Sequence, residues 1–152
     1  IYISNIHPKD VFSLLLNFPS DLTLKSYSQK MLSTTHLLEE ALVQNHLPVV
    51  KRNFNNTWTQ HLWVRPESKE KAYQFFRLLE ELHILTNYRL LPYKLGYGLR
   101  LGTAAAVRQG LDEKSVHDLA EIISKVYFAN AIDDTLRKAA FTTIATIKKE
   151  QI

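Results

Sequence analysis

The residues best suited to chemistry gather around Tyr97-Gly98-Leu99-Arg100-Leu101-Gly102-Thr103, where one arginine stands between two glycines. Alternate side chains of a strand share a face, so Leu99 and Leu101 point one way and Gly98, Arg100 and Gly102 the other. Arg100 therefore stands in a cleared lane. Glycine weakens a strand and gives it nothing to pack, so two of them beside a charge imply close approach by another group. A planar guanidinium in such a gap suits a carboxylate or a phosphate. Spacing alone leaves two readings open: an edge-strand arginine paired with a surface carboxylate, or an anion clamp. Around it lie further polar residues on or near strand-like segments: Thr57, Thr59, His61, Asn87, Arg89, Thr103 and Arg108. His61 also fits a satisfied strand histidine, and Arg108 could solvate the turn that follows it. Trp58, Trp63, Tyr93 and Tyr97 could stack a base or a cofactor ring, or could simply pack.

Other catalytic sets are missing from the sequence. Six histidines occur, but no two fall at metal-ligand spacing with a carboxylate, and HExxH is absent, so no zinc site is expected. G-x-S-x-G, Walker A and G-x-G-x-x-G strings are also absent. The acidic pairs Glu39-Glu40, Glu80-Glu81 and Asp133-Asp134 fall on helical segments, where solvated faces or helix starts account for them. The chain holds no complete catalytic set.

These residues must be positioned by one domain. The 152 residues, 45% of them hydrophobic, suffice for a single core and are too few for two full domains. With no cysteine, disulfides and thiolate metal sites are excluded. The net charge of +4 is scattered along the chain, which argues against nucleic acid. No apolar run reaches the length of a membrane span and no secretory pattern opens the chain, so a cytoplasmic protein without membrane contact is expected. The opening Ile1-Tyr2-Ile3-Ser4 carries no cap or turn, which suggests a fragment of a longer polypeptide.

Periodicity predicts a short buried helix over 11–16, then a long helix over 21–45 with Leu24, Tyr27, Met31, Leu38, Ala41 and Leu42 on one stripe. Val49-Val50-Lys51 reads as a strand after Pro48, 53–59 as a turn cluster, and 60–65 as a strand ending at Pro66. Ser68 caps a helix whose stripe is Ala72, Phe75, Phe76, Leu79 and Leu82. A strand over 84–91, a loop over 92–96 and the Arg100 strand follow. Gly110 and Asp112 mark a turn and a cap before a helix carrying Val116, Leu119, Ala120, Ile123, Val126 and Tyr127. A last helix runs over 133–149. The order is a long helix, then β, β, α, β, β, α, α: an α/β fold with a small, mainly antiparallel sheet covered by helices and preceded by a long helix.

Gly98-Leu99-Arg100-Leu101-Gly102-Thr103-Ala104-Ala105, then Arg108-Gln109-Gly110-Leu111, then Leu119-Ala120-Glu121-Ile122-Ile123 resembles the carboxy-terminal domain of serine hydroxymethyltransferases, fold-type I enzymes dependent on pyridoxal phosphate. Thr86-Asn87-Tyr88-Arg89-Leu90-Leu91-Pro92, Thr57-Trp58-Thr59-Gln60-His61-Leu62 and the long helix extend the resemblance. It implies that Arg100 grips the substrate's α-carboxylate and that Arg108, Asn87, Arg89, Thr57, His61 and His7 line the site. It also implies an amino-acid substrate and a homodimer, since these enzymes build their sites at a dimer interface.

Two departures qualify it. The loop Tyr93-Lys94-Leu95-Gly96-Tyr97 is shorter than the family's folate-seating loop, and Arg89 replaces a folate-proximal asparagine, which puts folate use in doubt. The short loop, Ser4-Asn5-Ile6-His7 and the tail after Phe128 are more similar to the threonine transaldolases, which cleave β-hydroxy amino acids by retro-aldol chemistry without folate. In addition, no lysine here has the context of the family's Schiff-base lysine, which lies in a preceding domain that also binds most of the cofactor. The expected division is therefore 1–20 as the remnant following that missing amino-terminal domain and 21–152 as the small domain, in a fragment or split half that does not act alone. The competing reading is a stand-alone basic α/β module binding RNA or a protein, or a homologue kept for assembly.

Overall fold

The computed structural model describes residues 21–50 and 61–149, with side chains described for 25–50 and 61–147. The expected 11–16 helix, the 53–59 turn cluster and the 1–20 remnant lie outside them. In chain order the elements are α1 (Asp21–Gln44), β1 (His61–Val64), α2 (Lys69–Glu81), β2 (Asn87–Leu91), β3 (Gly96–Gly102), α3 (Ala104–Arg108), α4 (Glu113–Ala129) and α5 (Asp134–Lys149). The strands form an antiparallel sheet in the order β1-β3-β2, so the fold is the expected small antiparallel sheet covered by helices.

Arg100 is thus on the central strand, which removes the edge-strand reading. β3 alternates as its sequence demands: Leu99 and Leu101 are buried, with Leu62 and Val64 beside them on β1. This core face packs beneath α2, whose Phe75 and Leu79 are buried, and α4 adds Val116, Ile123 and Val126. Each such side chain contributes about 2 kcal/mol by leaving water. α1 lies along α4, and Tyr27 on α1 donates a hydrogen bond of 2.8 Å to the Ala104 carbonyl, just past β3.

Local signals set most boundaries. The Ser68 hydroxyl accepts from Lys71 N–H at 3.0 Å, and the Asp112 carboxylate from Ser115 N–H at 2.7 Å, capping α2 and α4. Helix ends are closed by residues in the left-handed region: His46 after α1, His83 after α2 and Gly110 after α3. In each case the next residue's N–H returns to a carbonyl five positions back: Leu47 to Leu42, Ile84 to Leu79, Leu111 to Ala106. The α2 closure consumes residues 82–84, which is why β2 starts at Asn87 and not at 84. The expected strand at 49–51 is reduced to a bridge: Val49 pairs Val64, and Val50 N–H donates to the Trp63 carbonyl, while Lys51 is outside the described residues. α3, five residues long, was not expected.

The acidic pairs fall on solvated helix surfaces. Glu40 faces His36, Glu80 pairs with Arg77, Glu81 faces Arg137, and Asp133 caps α5 by accepting from Leu136 N–H. Among the described residues no helix is long and apolar enough to cross a membrane.

Candidate active site

The register of the sheet brings four of the expected site residues to one face. Residues paired directly across strands point the same way. Arg100 on β3 stands between Trp63 on β1 and Asn87 on β2; one row along, Gly102 pairs His61, and on the other side Gly98 pairs Arg89. His61, Asn87, Arg89 and Arg100 therefore share the face turned away from the helical core. Asn87 and Arg89 are exposed, whereas Arg100, Trp63 and His61 are half-buried.

Arg100 is the unusual member. Its Nε atom is buried and makes no hydrogen bond, and no carboxylate pairs with the guanidinium among the described residues. A buried donor left unmatched costs about 1–3 kcal/mol. The lane around it differs from the expected one on one side. A Cβ built on Gly98 would lie 2.5 Å from the Val64 carbonyl oxygen and 2.6 Å from Leu91 Cδ1. Gly98 is glycine because the sheet backbone and the buried Leu91 already fill that space, so it holds no ligand gap.

The strand is anchored at its far end. The Thr35 hydroxyl donates to the Met31 carbonyl at 2.8 Å and hydrogen bonds with the Thr103 hydroxyl, both threonines being fully buried. Thr103 thus joins β3 to α1 and does not face the site. Arg108 ends α3 as an exposed residue and does not belong to the sheet. His7, Thr57, Thr59 and Trp58 lie outside the described residues.

The aromatic candidates divide. Tyr97 stacks on Tyr88 at 5.4 Å with Lys69 Nζ 4.7 Å above its ring, so it packs on the helix-covered side. Tyr93 stands 86% exposed in the β2–β3 turn, its ring 6.5 Å from that of Trp63. Trp63 had no distinguishing spacing in the sequence, and only the pairing of β1 with β3 places it beside Arg100. Half-buried walls and a guanidinium with an unmatched Nε and no carboxylate partner among the described residues make this face suited to holding a small anion in a fixed orientation.

No protein-family model matches the chain. The serine hydroxymethyltransferase of Saccharolobus solfataricus is 29% identical over 108 residues, which span 67% of this chain and 25% of that enzyme. The serine hydroxymethyltransferase of Korarchaeum cryptofilum is 26% identical over 133 residues, 82% of this chain and 31% of that enzyme. Among solved structures, L-threonine transaldolase from Pseudomonas fluorescens superposes with a TM-score of 0.70 at 25% identity, over 81% of this chain and 28% of that one. The chain therefore spans between a quarter and a third of the length of these proteins. In sequence and in fold it is similar to serine hydroxymethyltransferases and to threonine transaldolase.

Proposed function

We propose that this chain is the carboxy-terminal, substrate-holding part of a pyridoxal-phosphate-dependent enzyme of the hydroxymethyltransferase and threonine transaldolase type. The substrate is a β-hydroxy amino acid, and the reaction is retro-aldol cleavage of its Cα–Cβ bond. The observation that carries this reading is Arg100: half-buried on the central strand, with Nε unmatched, between Trp63 and Asn87. An α-carboxylate is the ligand that would satisfy it. Two parallel N–H···O bonds from the guanidinium fix the amino acid's rotation, which decides which bond at Cα is aligned for cleavage.

The cofactor is assigned elsewhere in the protein. Among the described residues every lysine is exposed except Lys71, and Lys71 is engaged with Glu67. None of them fits a Schiff-base lysine. Their role is to bind and orient. The alternative of a basic RNA-binding module is not favoured, since the proteins similar to this chain are enzymes. Arg89 and the short β2–β3 turn stand where the resemblance would seat folate, which disfavours its use. A homodimer is part of the proposal, and size measurement of the full-length protein tests that part.

The experiment is substrate binding and turnover by the full-length protein with Arg100 replaced. Arg100→Lys should raise KM for L-threonine by about two orders of magnitude, because a point charge cannot reproduce the paired bonds. Normal KM and kcat in Arg100→Ala would refute the assignment.

A further inference from the structure

We propose that this sheet face takes an amino acid carrying a second anionic group, with Arg89 as the cation that receives it. The proposal rests on the reading of Arg100 as the α-carboxylate clamp. Arg89 is two residues from Asn87, which pairs with Arg100, and it pairs with Gly98, which is two residues from Arg100. The two arginines are therefore diagonal neighbours on adjacent strands, a relationship that sets their Cβ positions about 7 Å apart. Gly98 between them carries no side chain of its own, and the buried Leu91, on the same face two residues from Arg89, fills the space above it.

Two positive charges on one sheet face repel, and a carboxylate on a neighbouring position would offset that repulsion. Here none does so. Arg77 and Arg137 face Glu80 and Glu81, while Arg89 and Arg100 have no carboxylate partner among the described residues. Asn87, exposed and in the same row as Arg100, adds amide donors next to both. An anion is what this cluster lacks. With Arg100 satisfied by the α-carboxylate, the exposed guanidinium of Arg89 is left for a carboxylate or phosphate on the side chain, one guanidinium group further along the face. An amino acid with an uncharged side chain leaves it unused.

Calorimetric titration of the full-length protein tests this with L-serine, L-aspartate, O-phospho-L-serine and inorganic phosphate as probes. The expected result is that aspartate, phosphoserine or both bind at least about tenfold more tightly than serine. The stronger of the two identifies the second group as carboxylate or phosphate. Arg89→Gln should abolish that advantage, bringing the dianionic amino acids to the affinity that the same variant has for serine, and Arg89→Lys should recover part of it. Thermal melts matching the parent exclude misfolding of the variants. Equal affinity for all three amino acids, or an Arg89→Gln variant that keeps the preference, overturns the inference and leaves the Arg100 clamp standing. Serine binding that is indifferent to Arg100→Lys overturns the clamp, and with it the amino acid as the ligand, even where phosphate binding still depends on Arg89.

Discussion

The Thr35 hydroxyl on α1 meets the Thr103 hydroxyl at the end of β3, a hydrogen bond between residues 68 apart in sequence. Both side chains are buried, and Thr35 passes the bond on to the Met31 carbonyl. The pair ties the strand bearing Arg100 to the longest helix. Thr35→Val and Thr103→Val should each cost about 1–2 kcal/mol, and the double variant less than their sum by about 1 kcal/mol. Urea unfolding of the four proteins measures this, and strict additivity would show that the bond contributes nothing.

Gly98→Ala should destabilise the domain by about 1–3 kcal/mol through overpacking. The added methyl meets Val64 O at 2.5 Å and Leu91 Cδ1 at 2.6 Å. Removing the second obstacle with Leu91→Ala should not restore stability, since the carbonyl remains. Amino-acid affinity should fall in parallel, because Arg100 is two residues away on the same strand.

The β2–β3 turn is strained in a way that sequence exchange can relieve. Leu95 N–H reaches the Pro92 carbonyl at 3.3 Å, and both central residues, Tyr93 and Lys94, have positive φ of 57° and 58°. Such a turn favours Asn-Gly. Tyr93→Asn with Lys94→Gly should raise stability by about 1 kcal/mol, visible as a higher melting temperature.

Asp112 links the α4 cap to pH. Hydrogen bonds from Ser115, first its side chain and then its backbone N–H, hold the Asp112 carboxyl below the usual carboxylate range. A carboxyl depressed on folding stabilises at neutral pH and loses that contribution as pH falls below about 4 towards its folded value. Asp112→Ala should cost about 1 kcal/mol at pH 7. The difference from the parent should shrink by pH 3, and urea midpoints at the two pH values give the answer.

What could be read beforehand followed the range of the interactions. The caps at Ser68 and Asp112, the alternation of Leu99 and Leu101, and the stripes of α2 and α4 depend on neighbours within one or two turns, so their patterns sit in consecutive residues. α3 spans five residues, too few to show a helical period. The closure at His83 moved the start of β2, because a histidine with positive φ carries no sequence mark of the kind Gly110 does. At the site, Arg100 was conspicuous for its glycines, yet the reason for Gly98 depends on Leu91 and Val64, which only pairing brings near. Thr103 read as a polar site residue for the same reason: its partner Thr35 is on a distant helix.

The central position of β3 governs how Arg100, the proposed carboxylate clamp, moves. Its backbone is hydrogen bonded on both sides, to β1 and to β2, and its end is fastened to α1. Amides in such a strand exchange with solvent only when the whole domain opens. In deuterium exchange, 99–101 should belong to the slowest group, whereas the exposed β2–β3 turn labels early. The guanidinium is then carried on a backbone that is already ordered before any ligand arrives, so little of the binding energy is spent on arranging the strand.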